Sequence, residues 1–115
     1  MIKDRFGRII NISSTGGLRG DIGTVLYTAS KLSNQGIVSV ISKEYAKFNI
    51  TSNSISLGSF NAGLYKKLNK KQQANIISKI PAKKNGEFSN ILNAILFIIN
   101  SEYVNGATIN VDGGM

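Results

Sequence analysis

Cysteine, histidine and tryptophan are all missing from this chain of 115 residues, and proline occurs only once. Without cysteine the chain forms no disulfide and offers no thiolate to a metal ion. Without histidine it lacks the most common zinc ligand and the base of the Ser-His and Cys-His nucleophile pairs. We therefore expect no metal site, and any proton transfer must use other side chains.

Long hydrophobic runs are also missing. The longest apolar run, residues 94–99, is far shorter than the roughly 18 residues of a membrane span. The first eight residues are too polar for the apolar region of a secretory signal. We expect a cytoplasmic protein without a membrane partner. The length suits one small domain, residues 1–115, and 42% hydrophobic residues are enough for a packed core.

Positive charge is in excess, with 14 basic and 6 acidic residues and a formal net charge of +8. Such a charge permits binding to nucleic acid or to phosphorylated ligands. The chain has neither zinc-finger spacing nor the aromatic pattern of single-strand binders, so a solvated basic face is favoured over a nucleic-acid partner. The densest group of lysines comprises Lys66, Lys67, Lys70, Lys71, Lys79, Lys83 and Lys84.

Apolar periodicity predicts an α/β fold with a parallel sheet. Residues 8–12 form a short β-branched run in which three isoleucines do not alternate strictly with polar residues, as in strands covered on both faces. The strand–helix–strand order that follows is typical of a βαβ unit with parallel strands. Pro81 should end the second helix. The predicted elements are strands at 8–12, 50–56 and 107–111, helices at 24–47, 64–80 and 88–100, and loops at 13–23 and 59–63.

Three residues of the first predicted helix have expected backbone roles. Thr24 is a candidate amino-terminal cap. Gly36 costs up to about 1 kcal/mol relative to Ala inside a helix, which suggests that it allows close approach of another helix. Asn49 is a candidate for the left-handed conformation after the helix. The glycines of the loop at 13–23 have no dinucleotide-fingerprint or P-loop spacing, so a flexible loop is favoured over a phosphate cradle.

Tyr27 and Lys31 are one turn apart on the same face of the predicted helix. An ammonium beside a phenol favours the phenolate, and it should lower the Tyr27 pKa from its ordinary value of about 10. The phenol could then donate and accept protons near neutral pH. Pairs at this spacing also occur on ordinary surface helices, so other residues must decide between the two interpretations.

Several motifs follow one another in a fixed order. An apolar strand ends in Asn11-Ile12-Ser13-Ser14, and Tyr27-Thr28-Ala29-Ser30-Lys31, Asn53-Ser54-Ile55-Ser56-Leu57-Gly58 and Asn105-Gly106-Ala107-Thr108-Ile109-Asn110-Val111-Asp112-Gly113-Gly114 follow. In combination they resemble the carboxy-terminal half of a short-chain dehydrogenase/reductase, nearest to the 3-oxoacyl-[acyl carrier protein] reductase type. The resemblance implies a partial Rossmann-type, doubly wound parallel sheet that consists of the family's last three strands.

The resemblance also implies roles for individual residues. Tyr27 matches the catalytic acid and base, Lys31 the residue that lowers its pKa and binds the nicotinamide ribose, and Ser14 the residue that polarises the substrate carbonyl. The implied reaction reduces a ketone, or oxidises a secondary alcohol, by hydride transfer with NAD or NADP. The implied cofactor-binding residues are Tyr27, Lys31, Leu57, Gly58 and Phe60.

Two positions depart from the family pattern. Leu57 replaces a proline and Ala62 replaces a threonine in the loop that binds the nicotinamide. This loop should therefore bind the cofactor more weakly. The lysine-rich segment after it matches the family's substrate lid. The implied partners are a small carbonyl or alcohol substrate, free or carrier-bound, and further copies of the chain in a dimer or tetramer.

The family's amino-terminal half, with its glycine fingerprint, has no counterpart in these residues. We therefore expect the isolated chain to bind dinucleotide poorly and to be inactive alone. The first strand should have an unpaired apolar edge. The alternative is a non-catalytic fragment that keeps the family's oligomerisation surfaces.

Overall fold

Three strands, β1 (Gly7–Ser14), β2 (Ile50–Leu57) and β3 (Thr108–Val111), form a parallel sheet in that order, and the computed structural model describes all residues from 1 to 115. The predicted α/β class with a parallel βαβ unit is confirmed. Register runs from Gly7 opposite Ile50 to Ser14 opposite Leu57. The α-helices are α1 (Thr15–Arg19), α2 (Val25–Glu44), α3 (Lys70–Lys79) and α4 (Phe88–Asn100).

The segment after β1 was predicted as a loop, and that prediction is wrong for its first half, which forms α1. Ser14 is extended and its Oγ accepts a hydrogen bond from the Gly16 amide at 3.2 Å. Serine in this geometry satisfies an amide that would otherwise lack a partner at the helix start. Gly20, with φ of 66°, ends the helix in the left-handed conformation. Because the segment is rich in glycine, its sequence did not predict this single capped turn.

Helix α2 begins and ends close to the predicted positions. Thr24 is its first flanking residue, but the Thr24 hydroxyl bonds to Asp21 O and Thr28 Oγ1 and does not cap an amide. The helix stops at Glu44, and a short 3₁₀ turn leads to Asn49, whose φ of 56° confirms the predicted left-handed conformation. The expected close approach at Gly36 is not found, because a Cβ there would meet no atom within 4 Å.

The helix predicted over residues 64–80 is divided in two. A 3₁₀ turn covers Gly63–Lys67, and α3 starts only after Asn69. Asn69 and Gln72 form a reciprocal capping box, with distances of 2.9 and 3.0 Å. An Asn-x-x-Gln spacing inside a lysine-rich stretch was the signal for this start. Helix α4 has the predicted bounds.

The centre of the sheet is β2, of which all residues except Leu57 are buried. Ser13 and Arg8 point to opposite faces of β1, because their positions differ by an odd number of residues. Ser13 Oγ donates to Lys31 O of α2 at 3.1 Å, and Arg8 Nε donates to Ile99 O of α4 at 3.3 Å. The two long helices therefore cover opposite faces of the sheet.

Both outer strands of the sheet have a free edge, and β1 is one of them because it pairs only with β2. Ile12 on this strand is 42% exposed. The predicted apolar unpaired edge is therefore confirmed.

No helix of the chain combines the length and the apolar character needed to cross a bilayer.

Candidate active site

A cleft of about 840 Å³ lies beside the carboxyl ends of β1 and β2. This is the edge at which open parallel sheets bind their ligands. Five parts of the chain form its walls: the β1–α1 junction with the loop after it, the start of α2, the segment after β2, the end of α3, and Met115. The lining residues are Ser14, Thr15, Gly16, Arg19, Asp21, Tyr27, Leu57, Gly58, Ser59, Phe60, Ala62, Gly63, Leu64, Tyr65, Leu68, Ile76, Lys79 and Met115.

Ser14 is the last residue of β1 and a half-buried part of the cleft wall. Its Oγ accepts a hydrogen bond from the Gly16 amide, so the hydroxyl oxygen is held in place by the backbone of α1. Because that bond uses a lone pair, the hydroxyl proton stays available for a second group. Ser14 can therefore donate a hydrogen bond into the cleft.

Tyr27 lies in the first turn of α2, lines the same cleft and is 46% exposed. Gly16 separates it from Ser14. A Cβ on Gly16 would lie 3.4 Å from Ser14 Oγ and 3.8 Å from Tyr27 Cε1. One small space is therefore bordered by the serine hydroxyl and the tyrosine ring, and an alanine at position 16 would project into it.

Lys31 is half-buried between α2 and β1. Its Nζ donates to the Ile12 carbonyl at 3.2 Å and lies 5.9 Å from the centre of the Tyr27 ring. The carbonyl of the strand thus holds the Lys31 ammonium near the Tyr27 ring. Lys31 itself does not line the cleft.

The segment after β2 is fixed by contacts on both sides. A Cβ on Gly58 would lie 2.6 Å from Asp112 Cα, so only glycine allows the chain after β3 to pass there. Phe60 stacks on Phe88 with ring centres 6.5 Å apart. Thr15 Oγ1 donates to Leu57 O at 3.3 Å and ties the segment to α1.

The structure brings most of the predicted site residues together. Ser14, Tyr27, Leu57, Gly58 and Phe60 share one cleft, and only Lys31 lies off its lining. The other lining residues were not predicted as site residues. Among them are Arg19, whose segment was predicted as a loop, and Ile76 and Lys79, which are one turn apart on α3. The three-residue spacing of Ile76 and Lys79, which places both side chains on one face of a helix, was the available signal.

Three charged side chains line the cleft, namely Arg19, Asp21 and Lys79. Arg19 Nη2 lies 3.9 Å from Asp21 Oδ2, and both side chains are exposed. An exposed pair at this distance contributes little attraction. Two of the three charged side chains in the cleft are therefore cationic, and neither forms a close ion pair.

Comparison with known proteins gives matches over the whole chain. A family model described as enoyl-(acyl carrier protein) reductase matches residues 1–115. Among curated proteins, the 3-oxoacyl-[acyl-carrier-protein] reductase FabG of Rickettsia felis is 39% identical over 117 residues, and the protein of that name from Buchnera aphidicola subsp. Schizaphis graminum is 40% identical over 117 residues. Nodulation protein G of Rhizobium sp. is 37% identical over 117 residues.

Each of these three alignments covers 100% of this chain and 48% of the relative. The chain therefore spans about half the length of the curated relatives it matches. The family model and the relatives carry names of different reactions, one on an enoyl group and one on a 3-oxoacyl group. The comparisons thus establish a shared scaffold.

Proposed function

This chain belongs to the short-chain dehydrogenase/reductase family, and we propose that it is the carboxy-terminal, catalytic half of an NAD(P)-dependent ketone or alcohol oxidoreductase. The family resemblance inferred from the sequence motifs is confirmed. The single observation that carries the proposal is the shared cleft, where Ser14 and Tyr27 border the space in front of Gly16.

In the proposed reaction a ketone becomes a secondary alcohol. Its carbonyl oxygen would sit between Ser14 and Tyr27 and accept hydrogen bonds from both hydroxyls. These donors stabilise the negative charge that develops on the oxygen as the carbonyl carbon is reduced. Tyr27 then transfers its proton to that oxygen, and solvent reprotonates the phenolate.

Lys31 is proposed as the positioning and electrostatic residue. Its bond to the Ile12 carbonyl fixes the ammonium near the Tyr27 ring. A cation held there stabilises the phenolate that forms when the proton leaves. Lys31 would act through Tyr27 in this arrangement, which agrees with its position outside the cleft lining.

The nicotinamide end of a dinucleotide fits the cleft, because the backbone around Leu57 and Gly58 and the ring of Phe60 form one continuous wall. When bound, the nicotinamide supplies or accepts the hydride. Residues for the remainder of the dinucleotide are not evident, since no glycine fingerprint occurs in the chain. We therefore propose that a further segment must complete the cofactor site.

Two measurements test this proposal. Titration of the 115-residue chain with NADPH should give no micromolar binding. In a protein completed by an amino-terminal half, Tyr27→Phe should lower ketone reduction by about 10²- to 10⁴-fold, the range for losing a general acid. Micromolar binding by the chain alone would refute the incomplete site, and an unchanged rate in the Phe variant would refute the role of Tyr27.

A second candidate function is a non-catalytic module that assembles through its helices. Apolar side chains on α2 and α4 remain exposed, among them Val40 at 53% and Phe97 at 52%. Exposed apolar surface of this kind marks protein interfaces. Sedimentation would support this alternative by finding a dimer or tetramer that Val40→Asp dissociates, provided that the completed protein lacked reductase activity.

A further inference from the structure

Two cations reach the cleft from different walls. Arg19 is the last residue of α1, the helix that starts directly after Ser14. Lys79 is the last residue of α3. Both line the cleft that contains Ser14 and Tyr27. The reaction proposed above uses neither cation.

Neither cation forms a close ion pair within the chain. The structure contains two ion pairs, Met1 with Asp4 and Arg19 with Asp21, so Lys79 takes part in none. The Arg19–Asp21 distance of 3.9 Å is longer than that of a charge-assisted hydrogen bond, about 2.7–2.9 Å. The guanidinium can therefore bind another oxyanion.

Half of the residues that line the cleft with the two cations are hydrophobic, and they include Leu64, Leu68 and Ile76. Charges beside apolar surface attract counterions more strongly than charges in open solvent, because fewer water dipoles screen them. Arg19 follows Ser14 by five positions, or about 7 Å of helix rise. An anionic group several bonds from the reacting carbonyl would reach it.

We infer that the cleft selects ketones that carry an oxyanion, a carboxylate or a phosphate, and that Arg19 and Lys79 are the specificity-determining residues that bind it. The inference rests on the proposed function, because Ser14 and Tyr27 define where the carbonyl sits. Arg19 offers two parallel donors to the oxyanion, and Lys79 adds a point charge from the end of α3. The apolar lining contacts the carbon chain between the two groups.

Binding to the 115-residue chain tests the inference without cofactor. We would follow backbone amides by ¹H–¹⁵N NMR during titration with 5-oxohexanoate and, separately, with its neutral methyl ester. Wild type should bind the acid more tightly than the ester. Arg19→Gln and Lys79→Gln should each weaken binding of the acid about tenfold, the loss expected for one charge-assisted hydrogen bond.

Matched variants and a second anion complete the test. Arg19→Lys should keep part of the affinity because it keeps the charge, and Lys43→Gln, which removes a lysine of α2 outside the cleft lining, should leave binding unchanged. Titration with inorganic phosphate tells whether phosphate or carboxylate is preferred, and either preference supports the oxyanion site.

Equal affinities for the acid and the ester, or acid binding that is unchanged in both Gln variants, would overturn the inference. Failure of the proposed reaction gives a different result. A completed protein that does not reduce ketones would refute the catalytic role, while charge-selective binding by the chain would still assign the anion site to Arg19 and Lys79.

Discussion

Gly17 and Lys31 are in close contact where α1 crosses α2. A Cβ on Gly17 would lie only 2.7 Å from Lys31 Cβ, a separation that forces one of the two helices to move. Lys31 is also tied to β1 by two hydrogen bonds, from its Nζ to Ile12 O and from Ser13 Oγ to its carbonyl. The lysine therefore cannot shift without disturbing the strand that carries Ser14.

We predict that Gly17→Ala destabilises the chain by about 1–3 kcal/mol, the usual cost of overpacking a tight contact. Thermal or urea unfolding followed by circular dichroism measures the change. Gly36→Ala is the matched control, because a Cβ there meets nothing within 4 Å and alanine is better in a helix by up to about 1 kcal/mol. Equal stability changes in the two variants would contradict the helix contact.

The central strand contains serines whose buried hydroxyls lack hydrogen-bond partners. Ser52 Oγ and Ser56 Oγ are both of this kind. Burying such a hydroxyl costs about 1–3 kcal/mol. We therefore predict that Ser52→Ala and Ser56→Ala each raise the free energy of unfolding by about 0.5–1 kcal/mol. Urea denaturation measures the effect.

Ser54 provides the control for these variants. It lies on the same strand and face, but its Oγ donates to Asn11 O at 3.4 Å. Ser54→Ala should be neutral or slightly destabilising because it removes that bond. Destabilisation by all three substitutions alike would show that the serine hydroxyls are satisfied by water.

The loop before β3 is held by the Asn105 side chain. Its Oδ1 accepts from the Ser52 amide at 2.8 Å and its Nδ2 donates to Ser42 O of α2 at 2.9 Å. Asn105→Ala would leave a buried strand amide without a partner, and we expect a loss of about 2–4 kcal/mol, as for two broken buried hydrogen bonds. Asn110→Ala, at an exposed position of β3, should stay near wild type by differential scanning calorimetry.

Local patterns predicted most of the fold. The isoleucine-rich run at 8–12 located β1, and the alternating pattern over 50–56 located β2. The 3.6-residue period located α2 and α4, and the motif order located Ser14 and Tyr27 at one edge of the sheet. These features depend on residues that are close in sequence. Periodicity therefore predicted them without knowledge of the tertiary packing.

Contacts between distant residues could not be predicted in the same way. The Asn105 bond to Ser52 joins residues 53 positions apart, and the Arg8 bond to Ile99 O joins residues 91 positions apart. Neither has a local signal. Helix α1 was not predicted because one capped turn is too short to show a period. For the same reason the position of Arg19 in the cleft was not predicted.

The start of α3 carries charge of the unfavourable sign. Lys70 and Lys71 occupy its first turn, which contains no acidic residue, although the helix dipole favours negative charge there. We predict that Lys70→Glu raises the free energy of unfolding by about 0.3–1 kcal/mol at low salt. Lys79→Glu at the other end of α3 should lower it by a similar amount. Urea unfolding at two salt concentrations checks both, because added salt should shrink both effects. An effect of Lys70→Glu that is insensitive to salt would contradict the electrostatic explanation.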